Sequence, residues 1–221
     1  LFPLGNFKLE KYMADRSYFG DARFEQGGKW TALYGAAKHV FIGLGVLIAG
    51  VAIGGAAQSE ALMGIAVLVG YIWLMVGFVY YRVHSFRYMA ENRMLGDQIT
   101  FTATPTTGEV IKIYIIGALI MAVVVAVLVF IGGLLFGAVM SMAGIGNMGL
   151  VGVLGVVLYL IALVLLGAMA LVFITQPTIA HFITNFTVHN ADALNDIQQR
   201  AMETGVDAEG FADALDIGGA I

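Results

Sequence analysis

The sequence predicts an all-α polytopic membrane protein with four transmembrane helices, arranged as two repeated hairpins with a small cytoplasmic layer of helix extensions and short strands. Of its 221 residues, 60% are hydrophobic and only 12% are charged, about half the charged share of a typical soluble domain. Four apolar stretches also reach the roughly 20 residues that a helix needs to cross the hydrocarbon core. They do not alternate as barrel strands do, and continuous apolar runs pair their backbone groups in lipid only as helices.

The four expected spans run from about Leu33 to Ala57, Ala61 to Tyr81, Val110 to Phe136 and Leu150 to Thr175. Pro177 follows the last span and, having no backbone N–H, is expected to break or kink the helix there. The chain divides into a cytoplasmic motif at 1–32, a hairpin at 33–81, a second cytoplasmic motif at 82–109, a second hairpin at 110–180, and a degenerate third motif with an acidic tail at 181–221.

The distribution of charge predicts the orientation in the membrane. None of the eleven Lys and Arg residues lies in the link between the first and second spans or between the third and fourth. The positive-inside rule therefore places both termini of this chain and its central loop in the cytoplasm. The net charge of −4 gives no reason to expect a nucleic-acid partner, and the absence of Cys excludes disulfides and thiolate metal sites.

An internal repeat precedes the two hairpins. Residues 11–21 (KYMADRSYFGD) and 87–97 (RYMAENRMLGD) are identical at 5 of 11 positions without a gap. In each copy, a basic residue and Tyr are expected to anchor a helix at the interface, and Gly-Asp to end that helix before a short strand. We expect the copies to pack together. Their key residues are Lys11, Tyr12, Gly20 and Asp21 in the first copy and Arg87, Tyr88, Gly96 and Asp97 in the second.

Two further alignments follow from the repeat. A weaker third copy aligns His181 with Tyr88 after the fourth span. The offset between the first two copies also aligns positions 1–2 with positions 77–78, deep in the second span. We therefore expect that the natural protein has further membrane helices before this chain.

Small residues recur at helical spacing within the spans. Gly50 and Gly54 form a GxxxG pair in the first span, and Gly133 and Gly137 form another near the end of the third. Such pairs let two helix backbones approach closely in lipid. They predict either tight packing inside one bundle or an interface between subunits, and the sequence leaves both open.

The sequence gives little support for catalysis. His84 and His181 lie near the cytoplasmic ends of the second and fourth spans. They are interpreted either as a shared metal or proton site or as ordinary interfacial histidines. The chain has no HExxH motif, so no cofactor is predicted and the chain is expected not to be an enzyme. No ionisable residue is expected in mid-membrane, which argues against a pump or coupled transporter but leaves a passive pore open.

These features together resemble the YjgN-like family of bacterial inner-membrane proteins, a family of unknown function. The resemblance rests on the segment 87–89, on the two Gly-Asp pairs with their helix hairpins, and on the closing stretch 210–219 (GFADALDIGG), and it covers essentially the whole chain. It implies a location in the bacterial inner membrane and a membrane-associated zinc metalloprotease as a partner. The family has no established catalytic residues to carry over.

The sequence therefore predicts a non-enzymatic scaffold or accessory protein in the lipid bilayer, working as a homo-oligomer or in a membrane complex. It would present a basic cytoplasmic face and an acidic tail to a partner. The tail, from about Ala191, carries seven acidic residues against only Arg200. It is expected to be a solvated segment, or a peptide that docks on another protein or on the basic face of the chain's own cytoplasmic layer. The alternative function is a channel or small-molecule transporter formed by the bundle or an oligomer, and an enzyme acting on lipid ranks last.

Overall fold

Long helices dominate the computed structural model, which describes residues 2–143 and 148–199. The predicted acidic tail from Arg200 onward, with the stretch 210–219, lies outside the described residues. The elements in chain order are α1 (Phe2–Ala14), β1 (Tyr18–Phe19), β2 (Ala22–Gln26), α2 (Ala32–Ala56), α3 (Glu60–Glu91), β3 (Arg93–Leu95), β4 (Ile99–Ala103), α4 (Thr107–Ala143), α5 (Met148–Ala170), a π-helical turn (Leu171–Thr175), α6 (Gln176–Thr184), β5 (Phe186–His189) and a 3₁₀ helix (Ala191–Asp196).

Four helical runs in the described residues are long and apolar enough to cross a membrane: α2, α3, α4, and α5 continued through the π turn into α6. At most 11% of the residues in the most apolar window of each run are buried inside the chain. Side chains such as Phe130 and Val164 are instead exposed. Lipid tails solvate such surfaces, whereas contiguous apolar patches of this size are rare in contact with water. The predicted class, an all-α polytopic membrane protein with four transmembrane helices, is therefore confirmed, whereas the repetition of the hairpins stays a prediction.

Glycines hold α2 and α3 together as a tight hairpin. A Cβ on Gly50 would overlap the Ala66 Cβ, and a Cβ on Gly54 would lie 2.9 Å from the Met63 backbone nitrogen. Gly77, on α3, approaches the α2 backbone in the same way. Because these positions carry no side chain, the two backbones lie close together along the hairpin.

The second hairpin is more open. Gly117 on α4 faces the π turn, where a Cβ would lie 2.8 Å from the Phe173 carbonyl oxygen. By contrast, a Cβ on Gly133 or Gly137 would meet no heavy atom within 4 Å in the described part of the chain. These two glycines therefore lie on a face of α4 that contacts no other described element, and the interpretation as a subunit interface stays open for them.

The helix continues through Pro177, so the expected break does not occur there. One π-helical turn, Leu171–Thr175, leads from α5 directly into α6. The Thr178 hydroxyl donates to the Ile174 carbonyl at 2.6 Å. Proline removes one backbone donor, and a helix in lipid accommodates that loss through a local change such as the π turn that precedes Pro177.

A five-stranded antiparallel sheet lies at one end of the membrane helices. Its strand order is β1-β2-β3-β4-β5, so strands from before α2, between α3 and α4, and after α6 join in one layer. β2 pairs with β3 with Phe24 opposite Leu95, and β4 pairs with β5 with Phe101 opposite Val188. The short strands predicted after each Gly-Asp are therefore present, and all three segments meet on the same side of the helices.

An apolar cluster stabilises this sheet. Leu95 and Phe101 are buried at its centre, and the Phe101 ring stacks on the rings of Phe24 and Phe186, with centroids 6.2 Å and 5.5 Å apart. The chain after β5 then packs against the same cluster. We call residues 191–198 the strap, and the five strands with the strap the sheet layer.

The two Gly-Asp pairs form hairpin turns, not helix ends, which corrects their expected role. Both α1 and α3 end earlier, before β1 and β3 begin. Gly20 (φ +60°) and Gly96 (φ +57°) then take the left-handed conformation between paired strands, which glycine adopts without strain. At the end of α3, the Tyr88 carbonyl accepts from the Asn92 side-chain amide at 2.8 Å and from the Asn92 backbone N–H at 3.2 Å.

Candidate functional site

A buried glutamine joins the sheet layer to the membrane helices. Gln26, the last residue of β2, is only 1% exposed. Its side-chain amide donates to the Met89 carbonyl at 3.0 Å, and its side-chain oxygen accepts from Arg93 Nε at 3.0 Å. Met89 lies in the last turn of α3, where carbonyls have no partner within the helix. Gln26 therefore satisfies this helix end and fixes β2 against α3.

Ion pairs extend this contact to α1. The Arg93 guanidinium pairs with the Glu10 carboxylate at 3.1 Å, although the two residues are 83 positions apart. Lys11 Nζ donates to the Gln26 carbonyl at 2.7 Å and pairs with the Asp15 carboxylate at 3.0 Å. The network centred on Gln26 thus connects α1, β2, β3 and the end of α3.

Asp15 is held in its ionised form by the same network. Its carboxylate accepts from the Gln26 backbone N–H at 2.9 Å. Burial alone would raise the pKa of Asp15, but the hydrogen bond from Gln26, with the hydrogen bond and charge of Lys11 and the charge of Arg23, outweighs it. The pKa of Asp15 therefore lies below its usual value of 3.8.

Next to this network, a cleft of about 930 Å³ separates α3 from α4. Its walls are mostly apolar, with Ile72, Met75 and Val76 on α3 and Ile111 and Ile115 on α4. Most of these side chains are also exposed, so the cleft opens toward the surface that faces lipid. The cleft is therefore suited to an apolar occupant.

A smaller cavity of about 350 Å³ adjoins the cleft at its sheet-layer end. The two share Asn6, Arg82 and Ser85 as lining residues, and we call the smaller cavity the mouth of the cleft. The mouth also holds Glu10 and Arg93, which pair with each other. Arg82 is exposed, and its guanidinium has no hydrogen-bond or ion-pair partner among residues 2–143 and 148–199. An unpaired cation therefore lies where the apolar cleft meets its polar mouth.

The first repeat copy contacts the strap. The Asp21 backbone N–H donates to the Gln198 carbonyl at 2.8 Å, and the Asp21 carboxylate accepts from the Gln198 N–H at 3.0 Å. A Cβ on Gly20 would overlap that same carbonyl. Tyr12 lies on the surface, with the Arg16 guanidinium 4.0 Å from its ring centroid. The Gly20-Asp21 turn therefore fixes the point from which the C-terminal tail continues.

The second repeat copy makes different contacts. The Tyr88 hydroxyl accepts from the Lys29 N–H at 2.6 Å and donates to the Lys29 carbonyl at 3.2 Å, while Arg87 forms an i,i+4 ion pair on the helix surface. The Gly96 N–H bonds to β2, and Asp97 is exposed with no partner in the described part of the chain. Equivalent positions of the two copies thus have different surroundings, and the repeat itself stays a prediction.

His84 and His181, the weak metal candidates, contact different elements. The His84 ring stacks on Tyr80 with 3.7 Å between centroids, whereas His181 Nε2 accepts from the Thr106 N–H at 3.1 Å. That contact uses the lone pair that a metal ion would need. Within the described ranges, no group of three or more His, Asp or Glu side chains could hold a metal ion.

Apart from Lys11, sequence patterns do not single out the residues that build this site. Glu10 and Arg93 are far apart in the chain, and Gln26 belongs to no recognisable spacing. One signal was present: Arg82 and Ser85 are polar residues one helical turn apart at the end of an apolar span, and such residues lie on the same face of a helix. In the sequence, Arg82 enters only as one of the eleven basic residues whose distribution predicts the orientation.

The fold and the site together define a polytopic α-helical membrane protein with an extramembrane sheet layer and a cleft that faces lipid. No family model, no curated protein and no solved structure matches the chain. The resemblance to the YjgN-like family therefore stays an expectation from the sequence.

Proposed function

We propose that this chain is a non-enzymatic scaffold or accessory subunit of the bacterial inner membrane, related to the YjgN-like family, whose sheet layer lies in the cytoplasm and receives a partner. The orientation rests on the distribution of Lys and Arg, none of which lies in the links at the other end of the spans. A second copy of the chain and a membrane-associated metalloprotease are the partners that we propose.

The observation that carries this proposal is the way the sheet layer is built. Three separate segments of the chain contribute strands to one sheet, and the buried Gln26 network fixes that sheet to the helix ends. Such a layer keeps a fixed surface on one side of the bilayer. Its edge strand β1 exposes Phe19, which is 54% accessible, and an exposed aromatic side chain is a frequent anchor at protein interfaces.

A channel or small-molecule transporter remains the second candidate, and the size of the cleft between α3 and α4 favours it. Against this, the walls of the cleft are mostly apolar, and the glycine contacts between α2 and α3 leave little space between those helices. Conduction of ions or polar solutes needs a lining of polar groups. The scaffold is therefore the function that we favour.

Site-specific photocrosslinking in native membranes tests the proposal. The photoreactive residue p-benzoylphenylalanine replaces Phe19 in the sheet layer or, as a matched control, Tyr159 in the middle of α5, which is 62% exposed. We expect a discrete protein adduct from position 19, with the partner identified by mass spectrometry, and only lipid adducts from position 159.

Reconstitution provides the opposing measurement. The purified chain in liposomes should show no flux of ions or small polar solutes above that of protein-free liposomes. A chain that is recovered as a lone monomer, gives no protein adduct at position 19 and conducts solutes would contradict the scaffold and establish the transport alternative.

A further inference from the structure

The cleft and its mouth form one amphipathic space. At the membrane end, the cleft is bounded by apolar side chains of α3 and α4, and at the sheet-layer end it opens into the polar mouth. The charged residues that line the mouth are Glu10, Arg82 and Arg93, which gives a net charge of 2 − 1 = +1. Because Glu10 and Arg93 neutralise each other at 3.1 Å, the uncompensated charge is that of Arg82.

We propose that this space binds one anionic phospholipid, with an acyl chain in the cleft and the phosphate against Arg82. This inference does not depend on the scaffold function proposed above. It assigns to Arg82 a ligand that the described part of the chain does not supply.

The dimensions of the cleft fit one leaflet. From Arg82 to Tyr71, which lines the cleft farthest from the mouth along α3, the helix rises about 16 Å at 1.5 Å per residue. Half of the hydrocarbon core of a bilayer is about 15 Å thick. An acyl chain whose headgroup lies at Arg82 would therefore follow α3 for about the depth of its own leaflet.

Polar groups around Arg82 complete a headgroup site. The Asn6 side-chain amide donates to the Tyr81 hydroxyl at 3.1 Å, and the hydroxyl proton has no acceptor in the described residues. Tyr81 lines the cleft directly beside Arg82. A phosphate or ester oxygen of a bound lipid can accept from this hydroxyl while it pairs with the guanidinium.

Charge complementarity selects an anionic lipid rather than a neutral one. A guanidinium binds phosphate through several N–H donors, and anionic lipids are attracted to cations near the membrane surface. A zwitterionic lipid would place its own ammonium group near Arg82 and lose part of this attraction. The acyl chain distinguishes the whole lipid from a free phosphate ester, because only the lipid has a chain that can cover the apolar walls of the cleft.

The test uses the full chain in vesicles of phosphatidylethanolamine with a small share of phosphatidylglycerol that carries a photoactivatable diazirine in its acyl chain. Labelled peptides are located by mass spectrometry. We expect adducts concentrated on the segments 72–79 and 111–118, which line the cleft.

Two variants and two matched controls make the test specific. Arg82→Gln should reduce labelling of the cleft segments about tenfold, as expected for loss of a hydrogen-bonded charge, whereas Arg87→Gln, in the same helix outside both cavities, should leave it unchanged. Ala118→Trp should fill the cleft and reduce labelling to a similar extent, whereas Ala126→Trp, farther along α4, should have no effect.

Several outcomes would overturn the proposal. Labelling that is spread evenly over the exposed faces of α4 and α5, or equal losses in Arg82→Gln and Arg87→Gln, would reduce the site to non-specific lipid contact. Equal labelling by a phosphatidylcholine probe would contradict the selection of an anionic lipid by Arg82. Displacement by soluble glycerol phosphate as effectively as by unlabelled phosphatidylglycerol would leave an anion site without a lipid. A complete absence of lipid adducts on the cleft segments would leave the cleft without a lipid.

Discussion

Replacing Gln26 by Ala should loosen the sheet layer from the end of α3 while the membrane helices stay folded. The side chain is almost fully buried and makes two well-formed hydrogen bonds, one to the Met89 carbonyl and one from Arg93 Nε. The substitution leaves both partners without Gln26, and Met89, which carries one of them, is itself buried.

The size of the effect follows from the two lost partners. A buried polar group left without its hydrogen bond costs about 1–3 kcal/mol. The Arg93 side chain is 31% exposed and keeps Glu10, so its share lies near the lower limit, and the sum is roughly 2–4 kcal/mol. This corresponds to an increase of roughly thirtyfold to several hundredfold in the population of the opened sheet layer.

Amide hydrogen exchange, followed by mass spectrometry in detergent or nanodiscs, measures this local opening. Backbone amides of β2 and β3 should exchange faster in Gln26→Ala, and those in the centres of α2 and α3 should not change. Gln98→Ala is the matched control, because Gln98 is exposed in the β3–β4 turn, and its effect should stay within about 0.5 kcal/mol. If the two variants exchanged alike, the Gln26 network would not be what fixes the sheet to the helices.

Three further predictions test other parts of the structure. Gly54→Leu should lower the thermal unfolding temperature in detergent, because overpacking against α3 costs about 1–3 kcal/mol. Gly133→Leu should leave the monomer unaffected and weaken only an oligomer, as measured by molecular size and light scattering. An equal decrease of the unfolding temperature in both variants would contradict the packing described. The pKa of Asp15 in the folded chain is lowered, so the stabilisation from its carboxylate is fully present above its usual pKa of 3.8 and is lost as the pH falls below that value through the lower folded pKa. In Asp15→Asn, amide exchange of the sheet layer should lose this pH dependence below about pH 4. Since the chain has no Cys, an impermeant maleimide should label Ala57→Cys in intact spheroplasts and Met94→Cys only after permeabilisation, and the reverse pattern would invert the proposed orientation.

The membrane spans were predictable because lipid imposes a simple requirement. Any segment that crosses it needs about 20 apolar residues in a helix, and hydropathy detects that directly. The helix ends were less predictable. α3 extends ten residues past the expected end of its membrane span at Tyr81, as the predicted helix extension requires, but it ends at Glu91, before the Gly96-Asp97 pair that was expected to end it. An i,i+4 pair of Arg87 and Glu91 supports this polar extension. Hydropathy detects the part of a helix that lies in lipid and not the part beyond it.

The candidate site was not predictable, for a different reason. Its residues belong to α1, α3, β2 and β3, and the contact between Glu10 and Arg93 spans 83 positions. The strands that bring these segments together have two to five residues each, too short for alternation to specify their partners. Gly20 and Gly96 were predicted to end helices and instead form hairpin turns, and the segment that each turn contacts depends on packing that no local pattern encodes.

The two hairpins are held by different means, and this explains why the cleft lies where it does. Within the first hairpin, glycines bring α2 and α3 into direct contact along their length. The second hairpin meets α3 through the edge-to-face contact of Phe86 with Phe182, at 4.8 Å between centroids and near the sheet layer, while the cleft separates α3 from α4 farther into the membrane. The position of one hairpin against the other is therefore set mainly from the sheet-layer end. Arg82 lies between these two regions, so a lipid bound there would fill the part of the boundary that the protein's own side chains leave open.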